Sequence, residues 1–333
     1  MLQNNDEKIS SFLFTAILPF LLIFIVYYGF QSSYVALKTM EKAPDFMFSS
    51  VYAYRVIPNF LSVYFTDFLS YFINTNLPGA KSFILKHGTI FYHSIFLINA
   101  VFFTASSVVL DKILKFSPNV LASDIRIRRL LQLVGFFVIA IVQYVPTNCD
   151  SLAVFFFLLG IYFSLKYYKF RKNIDLMMLC STVFIATFVR ETACLNIAFF
   201  GSLFFNYRNF KLSNFRFYRE LLMVVFAFII PYVGLRLIIQ QEASLAEGFY
   251  LQQNFSSPFN LAGLLFGTIF LYFFYTICGT GERIVFKNFI ILSVPYLGMI
   301  TFVGLFWETR LFLPLILGGL VISSQNTHYL YKD

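Results

Sequence analysis

The chain has 333 residues, of which 59% are hydrophobic and only 12% are charged, about half the charged fraction of roughly a quarter that is usual in soluble domains. Phe and Tyr supply 47 and 21 positions, which is more apolar surface than a soluble fold of this size can bury. The same richness in aromatic residues excludes a disordered chain. The composition therefore predicts an all-α, polytopic membrane protein whose outer apolar faces are covered by membrane lipids.

Apolar runs recur along the whole chain, so we predict a single integral membrane domain over residues 1–333. A spanning helix needs about 20 mostly apolar residues. The first such run, at about 11–28, follows a short polar leader with no small-residue cleavage site, which predicts a retained helix rather than a signal peptide. Residues 32–88 form a long outer loop, and its apolar run 59–72, interrupted by Asp67, predicts an interfacial helix. Nine further spans, which make ten, are predicted at about 89–110, 130–146, 151–167, 174–189, 192–206, 219–239, 261–278, 286–306 and 310–324.

Basic residues set the expected orientation of these spans, because cytoplasmic loops carry an excess of Lys and Arg. With ten spans and a cytoplasmic N-terminus, every basic loop falls on the cytoplasmic side, and both termini are cytoplasmic. This agreement requires two separate spans on either side of Arg190. We expect a bacterial plasma membrane. The loops account for the net charge of +9 without a nucleic-acid partner; their basic residues are Lys112, Lys115, Arg126, Arg128, Arg129, Lys166, Lys169, Arg171, Lys172, Arg208, Lys211, Arg216, Arg219, Arg283 and Lys287.

The other ionisable residues fall at the outer connections between spans. Charges at a membrane boundary are costly unless they are paired or face water, so several on one side predict a shared polar cavity. Hydration at the lipid headgroups, or ion pairs that only fix helix ends, would explain any single residue equally well. The outer residues are Glu41, Asp45, Arg55, Asp67, Asp150, Arg190, Glu191, Arg236, Glu242, Glu247, Glu308 and Arg310.

Arginines and acids in such a cavity suit transfer of a sugar from a lipid-linked phosphate donor. The planar guanidinium group binds phosphate through two parallel charge-assisted bonds. A carboxylate can act as general base on the acceptor hydroxyl or hold a divalent cation. The cofactor is therefore left unassigned, and a divalent cation is one possibility. The three His and four Cys residues show no metal-binding spacing, and we predict that the four thiols are buried and free. We predict Asp45 or Asp150 as the base; the predicted substrate-binding residues are Arg55, Arg190, Glu191, Arg236, Glu308 and Arg310.

The chain resembles the GT-C class of polytopic glycosyltransferases, which use polyprenyl-phosphate sugars. The resemblance lies in a first span, a long outer loop with acids and an interfacial helix, and then many spans with short loops. Short local runs add to it: Tyr52-Ala53-Tyr54-Arg55-Val56-Ile57-Pro58, Asp150-Ser151-Leu152, Arg190-Glu191-Thr192 and Glu308-Thr309-Arg310-Leu311 with Pro314. The resemblance implies a catalytic acid in the first loop at Asp45 or Glu41, although the acidic pair usual there is absent. It also implies a lipid-linked sugar donor as partner; protein partners are not indicated.

Three other functions fit the composition. A secondary transporter or a flippase for lipid-linked saccharides is the main alternative, although we find no internal repeat and the polar residues gather at one face rather than at the midplane. A polysaccharide polymerase or ligase would use similar donors and acceptors. A non-catalytic membrane subunit would need none of these residues for chemistry.

Overall fold

The computed structural model describes residues 9–29, 35–143, 147–205, 215–241 and 248–326, and these residues are almost entirely helical. No strand occurs within these ranges, where one isolated bridge pairs Pro118 with Gln325, so the prediction of an all-α fold is confirmed. The helices are α1 (Ile9–Gly29, with a π-helical turn at Leu13–Ile17), α2 (Val35–Thr39), α3 (Val56–Asn76), α4 (Lys81–Leu85), α5 (Ile90–Phe116), α6 (Val120–Ser123), α7 (Ile125–Ile141), α8 (Asp150–Phe170), α9 (Asn173–Thr187), α10 (Leu195–Phe204), α11 (Phe215–Ile238), α12 (Leu251–Ser256), α13 (Pro258–Ile277), α14 (Thr280–Leu292), α15 (Val294–Val303) and α16 (Leu313–Ser324).

Six of the described helices are long and apolar enough to cross a membrane: α1, α3, α5, α8, α11 and α13. A seventh results if α14 and α15, which meet at an angle of 45°, form one bent span. The described helices therefore include the long apolar helices of a multi-pass membrane protein. The count of ten spans is not confirmed, because α9 and α16 have only 15 and 12 residues.

Two predicted helices have different bounds in the structure. The interfacial helix predicted at 59–72 is the longer helix α3, which has 21 residues and meets the length and composition of a span. The span predicted at 286–306 begins earlier, at Thr280, and bends where Pro295 occupies the first turn of α15. Proline lacks the backbone donor that continues a helix, so a bend of this kind is expected there.

Burial separates central helices from peripheral ones. All twelve residues of α16 are buried, and α5 and α8 are largely buried, whereas α1, α11 and α13 bury only a small part of their surface. A short, mostly apolar helix that is buried throughout belongs to the core of the bundle, and the large exposed apolar faces of the peripheral helices remain for lipid.

Two ends of the bundle can be distinguished from contacts between α5 and α8. Near one end, the Asn99 amide donates to the carbonyl oxygen of Thr147 at 2.8 Å. Near the other, the Phe116 ring lies 5.8 Å from the ring of Phe170. The two helices therefore run parallel, and the Asp150 end and the Phe170 end of α8 lie about 30 Å apart, given a rise of roughly 1.5 Å per residue.

The next two helices, α9 and α10, alternate between these two ends. Helix α9 starts at the Phe170 end, where Lys166 pairs with Asp175 at 2.7 Å, and leads to Arg190, which pairs with Asp150. Helix α10 returns, because the Arg171 guanidinium lies 4.4 Å from the Phe204 ring. These contacts agree with two antiparallel helices on either side of Arg190.

The start of α1 and the end of α16 both lie at the Phe170 end of the bundle. Helix α1 is antiparallel to α5, since Ser107 donates to the carbonyl oxygen of Thr15 while Asn99 donates to the Tyr27 hydroxyl at 2.7 Å. Beyond α16, the Gln325 amide donates to the Ile113 carbonyl oxygen at 2.9 Å. Residues 9 and 326 therefore lie on the same side of the bundle.

Candidate functional site

Asp150 is the buried centre of a charged site at one end of the bundle. It is the first residue of α8, and its backbone N–H donates to the Thr147 hydroxyl oxygen at 3.2 Å. An acid in the first turn of a helix is favoured by the helix dipole. Its Oδ1 accepts a hydrogen bond from Arg190 Nη1, and Arg310 Nη1 lies 3.5 Å from Oδ2. Only 3% of the Asp150 side chain is exposed.

The two arginines reach Asp150 because the chain leaves helical geometry at each of them. Arg190 follows α9 in an extended conformation, with φ −165° and ψ 148°. Arg310 lies in the 3-10 turn Thr309–Leu311 that precedes α16. The Arg310 guanidinium also donates from Nη2 and Nε to one oxygen of Glu308, at 2.9 and 3.2 Å. Breaks between short helices therefore place both side chains at the Asp150 end.

Arg55 and Glu191 form the rim of the same site. Arg55 Nη2 lies 3.9 Å from Glu191 Oε2, and Arg55 Nη1 donates to the Cys149 sulfur at 3.5 Å. The Arg55 guanidinium also stacks 4.6 Å from the Tyr52 ring. Glu191 and Glu308 are 22% and 27% exposed, in contrast with the buried Asp150. We call these six residues the charge cluster: Arg55, Asp150, Arg190, Glu191, Glu308 and Arg310.

The charge cluster is balanced, because its three arginines face three carboxylates. Its hydrogen bonding is incomplete, since Asp150 Oδ2 and Arg310 Nη1 are buried and have no hydrogen-bond partner among the described residues. Burial alone would lower the pKa of the Arg310 guanidinium, but the Asp150 and Glu308 carboxylates outweigh this effect and raise the pKa. Arg310 therefore stays positively charged, and its Nη1 faces Asp150 Oδ2 in an ion pair without a hydrogen bond.

Arg236 lies beside the charge cluster without an ion pair to it. Its guanidinium stacks between two rings, 4.5 Å from Tyr54 and 3.5 Å from Tyr232, and donates to the Tyr232 carbonyl oxygen. Tyr54 precedes Arg55, so Arg236 contacts the segment that supplies the rim. The stack satisfies the cation in part through the ring faces. Glu242 and Glu247, which were also predicted at the outer side, lie outside the described residues.

Asp45 is exposed and makes no ion pair with the charge cluster. It begins the 3-10 turn Asp45–Phe48 and forms no ion pair within the described ranges. Glu41, the other acid of this loop, is exposed as well. Asp45 is nevertheless held in the same region, because the Asn59 amide donates to the carbonyl oxygens of Met47 and Tyr52.

Uncharged amides position the site, and the search for charges in the sequence missed them. The Asn148 amide donates to Asn59 Oδ1 at 2.9 Å, which joins the turn before Asp150 to the start of α3. Asn99 bridges α1, α5 and the carbonyl of Thr147. All three amides are buried. Asparagine inside otherwise apolar runs is the signal that could have identified them, because a buried amide must find partners.

A cleft of about 620 Å³ opens next to Glu308 and Arg310. Trp307 and Thr309, on either side of Glu308, line it together with polar and aromatic residues of α12, α13 and the residue between them, which are Gln253, Ser257, Asn260 and Phe266. Clefts of roughly 300–1,000 Å³ hold small ligands. An exposed indole beside amides and hydroxyls offers both an apolar face and hydrogen-bond partners to a polar ring such as a sugar.

Within the described ranges, no group of three or more His, Cys, Asp or Glu side chains is close enough to hold a metal ion. All four cysteines are free thiols, and Cys149 and Cys278 are buried. Comparison of the chain with protein-family models, with curated proteins and with solved structures yields no match.

Proposed function

We propose that the protein is a membrane glycosyltransferase of GT-C-like design, which moves a sugar from a lipid-linked phosphate donor to an acceptor at the Asp150 end. The observation that carries this proposal is the meeting of three arginines with an incompletely bonded Asp150–Arg310 pair at one end of a bundle of apolar helices. Guanidinium groups at this position suit a phosphate whose lipid tail lies against the exposed apolar helices.

We assign the Asp150 end to the outer, non-cytoplasmic face of a bacterial plasma membrane. Basic residues gather at the opposite end, where Lys115 and Arg129 both contact Asp111 and Lys166 pairs with Asp175. The positive-inside rule favours the cytoplasm for that end. Residues 9 and 326 lie at the same end, so we expect both termini in the cytoplasm and an even number of crossings. Ten crossings result if α3 does not cross, if α14 and α15 form one bent span, and if α7, α9, α10 and α16 also cross.

The length of chain after α3 supports an outer position for that helix. The backbone N–H of Ile57 donates to the Phe188 carbonyl oxygen, so α3 begins beside the charge cluster. Residues 77–89, which contain two short helical segments, reach at most about 30 Å before α5 begins. A helix of 21 residues running to the Phe170 end would leave a gap of roughly 45 Å to residue 90. An interfacial or outward-pointing α3 avoids this gap.

The rim carboxylates Glu191 and Glu308 can be displaced by the phosphate of the donor. Glu308 and Glu191 are partly exposed, so they can turn into water when a phosphate takes their place on Arg310 and Arg55. Asp150 would keep its contacts and hold Arg190 and Arg310 in place. Because both of its oxygens already face guanidinium groups and it is buried, we assign Asp150 to positioning.

In the transfer step, the acceptor oxygen forms a bond to the anomeric carbon of the sugar as the bond from that carbon to the phosphate oxygen breaks. The acceptor proton passes to a carboxylate, which we assign to Asp45 because it is exposed and carries no ion pair within the described chain. The lipid phosphate leaves with increased negative charge. Fixed arginines stabilise this developing charge and lower the barrier.

A purely structural network is the second candidate, and the equal number of positive and negative groups favours it. Donor binding separates the two. Purified protein in uncharged detergent is titrated with polyprenyl phosphate and, in parallel, with polyprenol. We expect the phosphate to bind at least about tenfold more tightly, since a charge-assisted bond contributes roughly 1.5–3 kcal/mol, and we expect Arg310→Gln to abolish the difference.

Arg126→Gln is the matched control, because Arg126 is exposed and lies at the start of α7, in the basic loop after α5. It should bind both lipids as the wild type does. Equal binding of polyprenyl phosphate and polyprenol by the wild type would refute the donor site and leave the structural network.

A further inference from the structure

A second cavity, of about 830 Å³, lies among the loops around the start of α5. Its walls come from the end of α2, from α4 and from the turn before α5, which are joined where the Thr89 backbone N–H donates to the Lys38 carbonyl oxygen at 3.1 Å. None of the charge-cluster residues lines it. The first residue of α5 lies about 14 Å further out than Asn99 along the helix, so the cavity sits beyond the charge cluster.

Positive charge predominates around this cavity, which we call the lysine cavity. Three lysines line it, Lys38, Lys81 and Lys86, together with His87, and Glu41 is the one acidic residue among the described lining residues. None of the three lysines forms an ion pair within the described ranges. Like charges gathered around one space repel each other, and an anion in that space would relieve the repulsion.

The start of α5 adds to this preference. Thr89 and Ile90, at the N-terminus of this 27-residue helix, line the cavity. Backbone N–H groups in the first turn of a helix have no partner within the helix, and the helix dipole places partial positive charge there. The Thr89 hydroxyl accepts from the Tyr92 N–H and so satisfies one of these groups. The remaining field adds to that of the lysines.

The lining also has apolar parts, in Leu85, Ile90 and the Tyr28 ring. A volume of this size accommodates a phosphate with an attached polar or glyceride group. We propose that the lysine cavity binds a phosphate group, carried either by an anionic lipid headgroup or by a soluble phosphate compound, at a site separate from the charge cluster. This proposal does not depend on glycosyl transfer at the charge cluster.

Two binding measurements on the purified protein test the proposal and distinguish the source of the phosphate. Inorganic pyrophosphate is titrated by calorimetry in uncharged detergent, and dioleoyl phosphatidylglycerol is compared with the zwitterionic dioleoyl phosphatidylcholine by native mass spectrometry. Saturable binding of pyrophosphate indicates a soluble ligand, and preferential binding of phosphatidylglycerol alone indicates a lipid headgroup.

The variant Lys81→Gln/Lys86→Gln removes two of the lysines. Both side chains are exposed, so the variant should fold normally. We expect binding of the preferred probe to weaken at least about tenfold, because two charge-assisted contacts are lost. Lys42→Gln is the matched control, since Lys42 is exposed in the same loop but does not line the cavity. It should bind as the wild type does.

Arg310→Gln separates this site from the charge cluster. If the probe binds in the lysine cavity, Arg310→Gln should bind it as the wild type does, and only Lys81→Gln/Lys86→Gln should lose affinity. This expectation holds whether or not the charge cluster binds a lipid-linked donor. Unchanged affinity in the double lysine variant would overturn the proposal. Failure of the wild type to bind either pyrophosphate or phosphatidylglycerol above the phosphatidylcholine level would overturn it as well.

Discussion

Replacing Asp150 with Asn tests whether the charge cluster holds the Asp150 end of the bundle together. The substitution keeps the size of the side chain but removes the negative charge that faces Arg190 and Arg310. Two guanidinium groups, 9% and 15% exposed, would then remain close together with less compensation. The helices α8 and α9 and the turn before α16 meet at this carboxylate, so the loss should affect the folding of the whole chain.

The structure gives the expected magnitude. At the 3.5 Å separation of Asp150 and Arg310, Coulomb's law with an effective dielectric constant of about 20 gives an attraction of roughly 5 kcal/mol before desolvation is considered. Removing one partner of a buried ion pair typically costs about 3–5 kcal/mol, because the other charge is left buried without compensation. We therefore expect Asp150→Asn to lower the free energy of unfolding by about 3–5 kcal/mol.

The assay is reversible unfolding in mixed micelles with increasing dodecyl sulfate, followed by far-UV circular dichroism. Asp67→Asn is the control, since Asp67 is exposed on α3 and forms no ion pair within the described ranges; its effect should stay within about 0.5 kcal/mol. Adding Arg190→Gln to Asp150→Asn should restore part of the stability, because the uncompensated charge is removed. A loss below about 1 kcal/mol for Asp150→Asn would refute the reasoning.

Two further predictions concern packing and orientation. Gly263→Ala would place a methyl group against the Phe306 carbonyl oxygen and displace the turn that carries Arg310, so we expect donor binding to fall. Gly298→Ala is the control, because the space around Gly298 is open and the variant should bind the donor normally. Equal donor binding by both variants would show that the close packing of Gly263 against Phe306 does not matter for the site. In a cysteine-free background, Gly79→Cys should react with an impermeant maleimide added outside intact cells and Arg126→Cys should not, and the reverse pattern would invert the orientation.

Composition and hydropathy were enough to predict a helical, multi-pass architecture, because lipid as the solvent leaves few alternatives to helices. They did not fix the span count. Hydropathy reports where apolar residues lie, but it does not report where a helix breaks or whether it faces lipid. Helix α16 is as apolar as a span, yet it has 12 residues and is entirely buried. The bend after Leu292 likewise depends on backbone geometry that hydropathy averages out.

The outer charges could be listed from the sequence, and their clustering at one end could be predicted from the order of the spans. Their pairing could not. Asp150 is separated by 40 residues from Arg190 and by 160 from Arg310, so only the packing of α8, α9 and α16 decides which charges meet. Asp45 and Asp150 were equal candidates for the base before the structure, which shows Asp45 exposed and Asp150 buried in ion pairs with two arginines. Asn59 and Asn148 went unnoticed because they carry no charge.

The central claim is glycosyl transfer at the charge cluster, and one measurement tests it most directly. Protein in lipid vesicles is given a polyprenyl-phosphate donor with a labelled sugar and a cell-envelope extract as the source of acceptor, and the products are analysed by mass spectrometry. We expect a new glycosidic bond formed by the wild type, a rate about 10²–10⁴-fold lower in Asp45→Asn through loss of the base, and weaker donor use in Arg310→Lys through loss of the planar fork. Movement of intact donor or solute across the vesicle membrane with no new glycosidic bond would contradict the claim and identify a transporter.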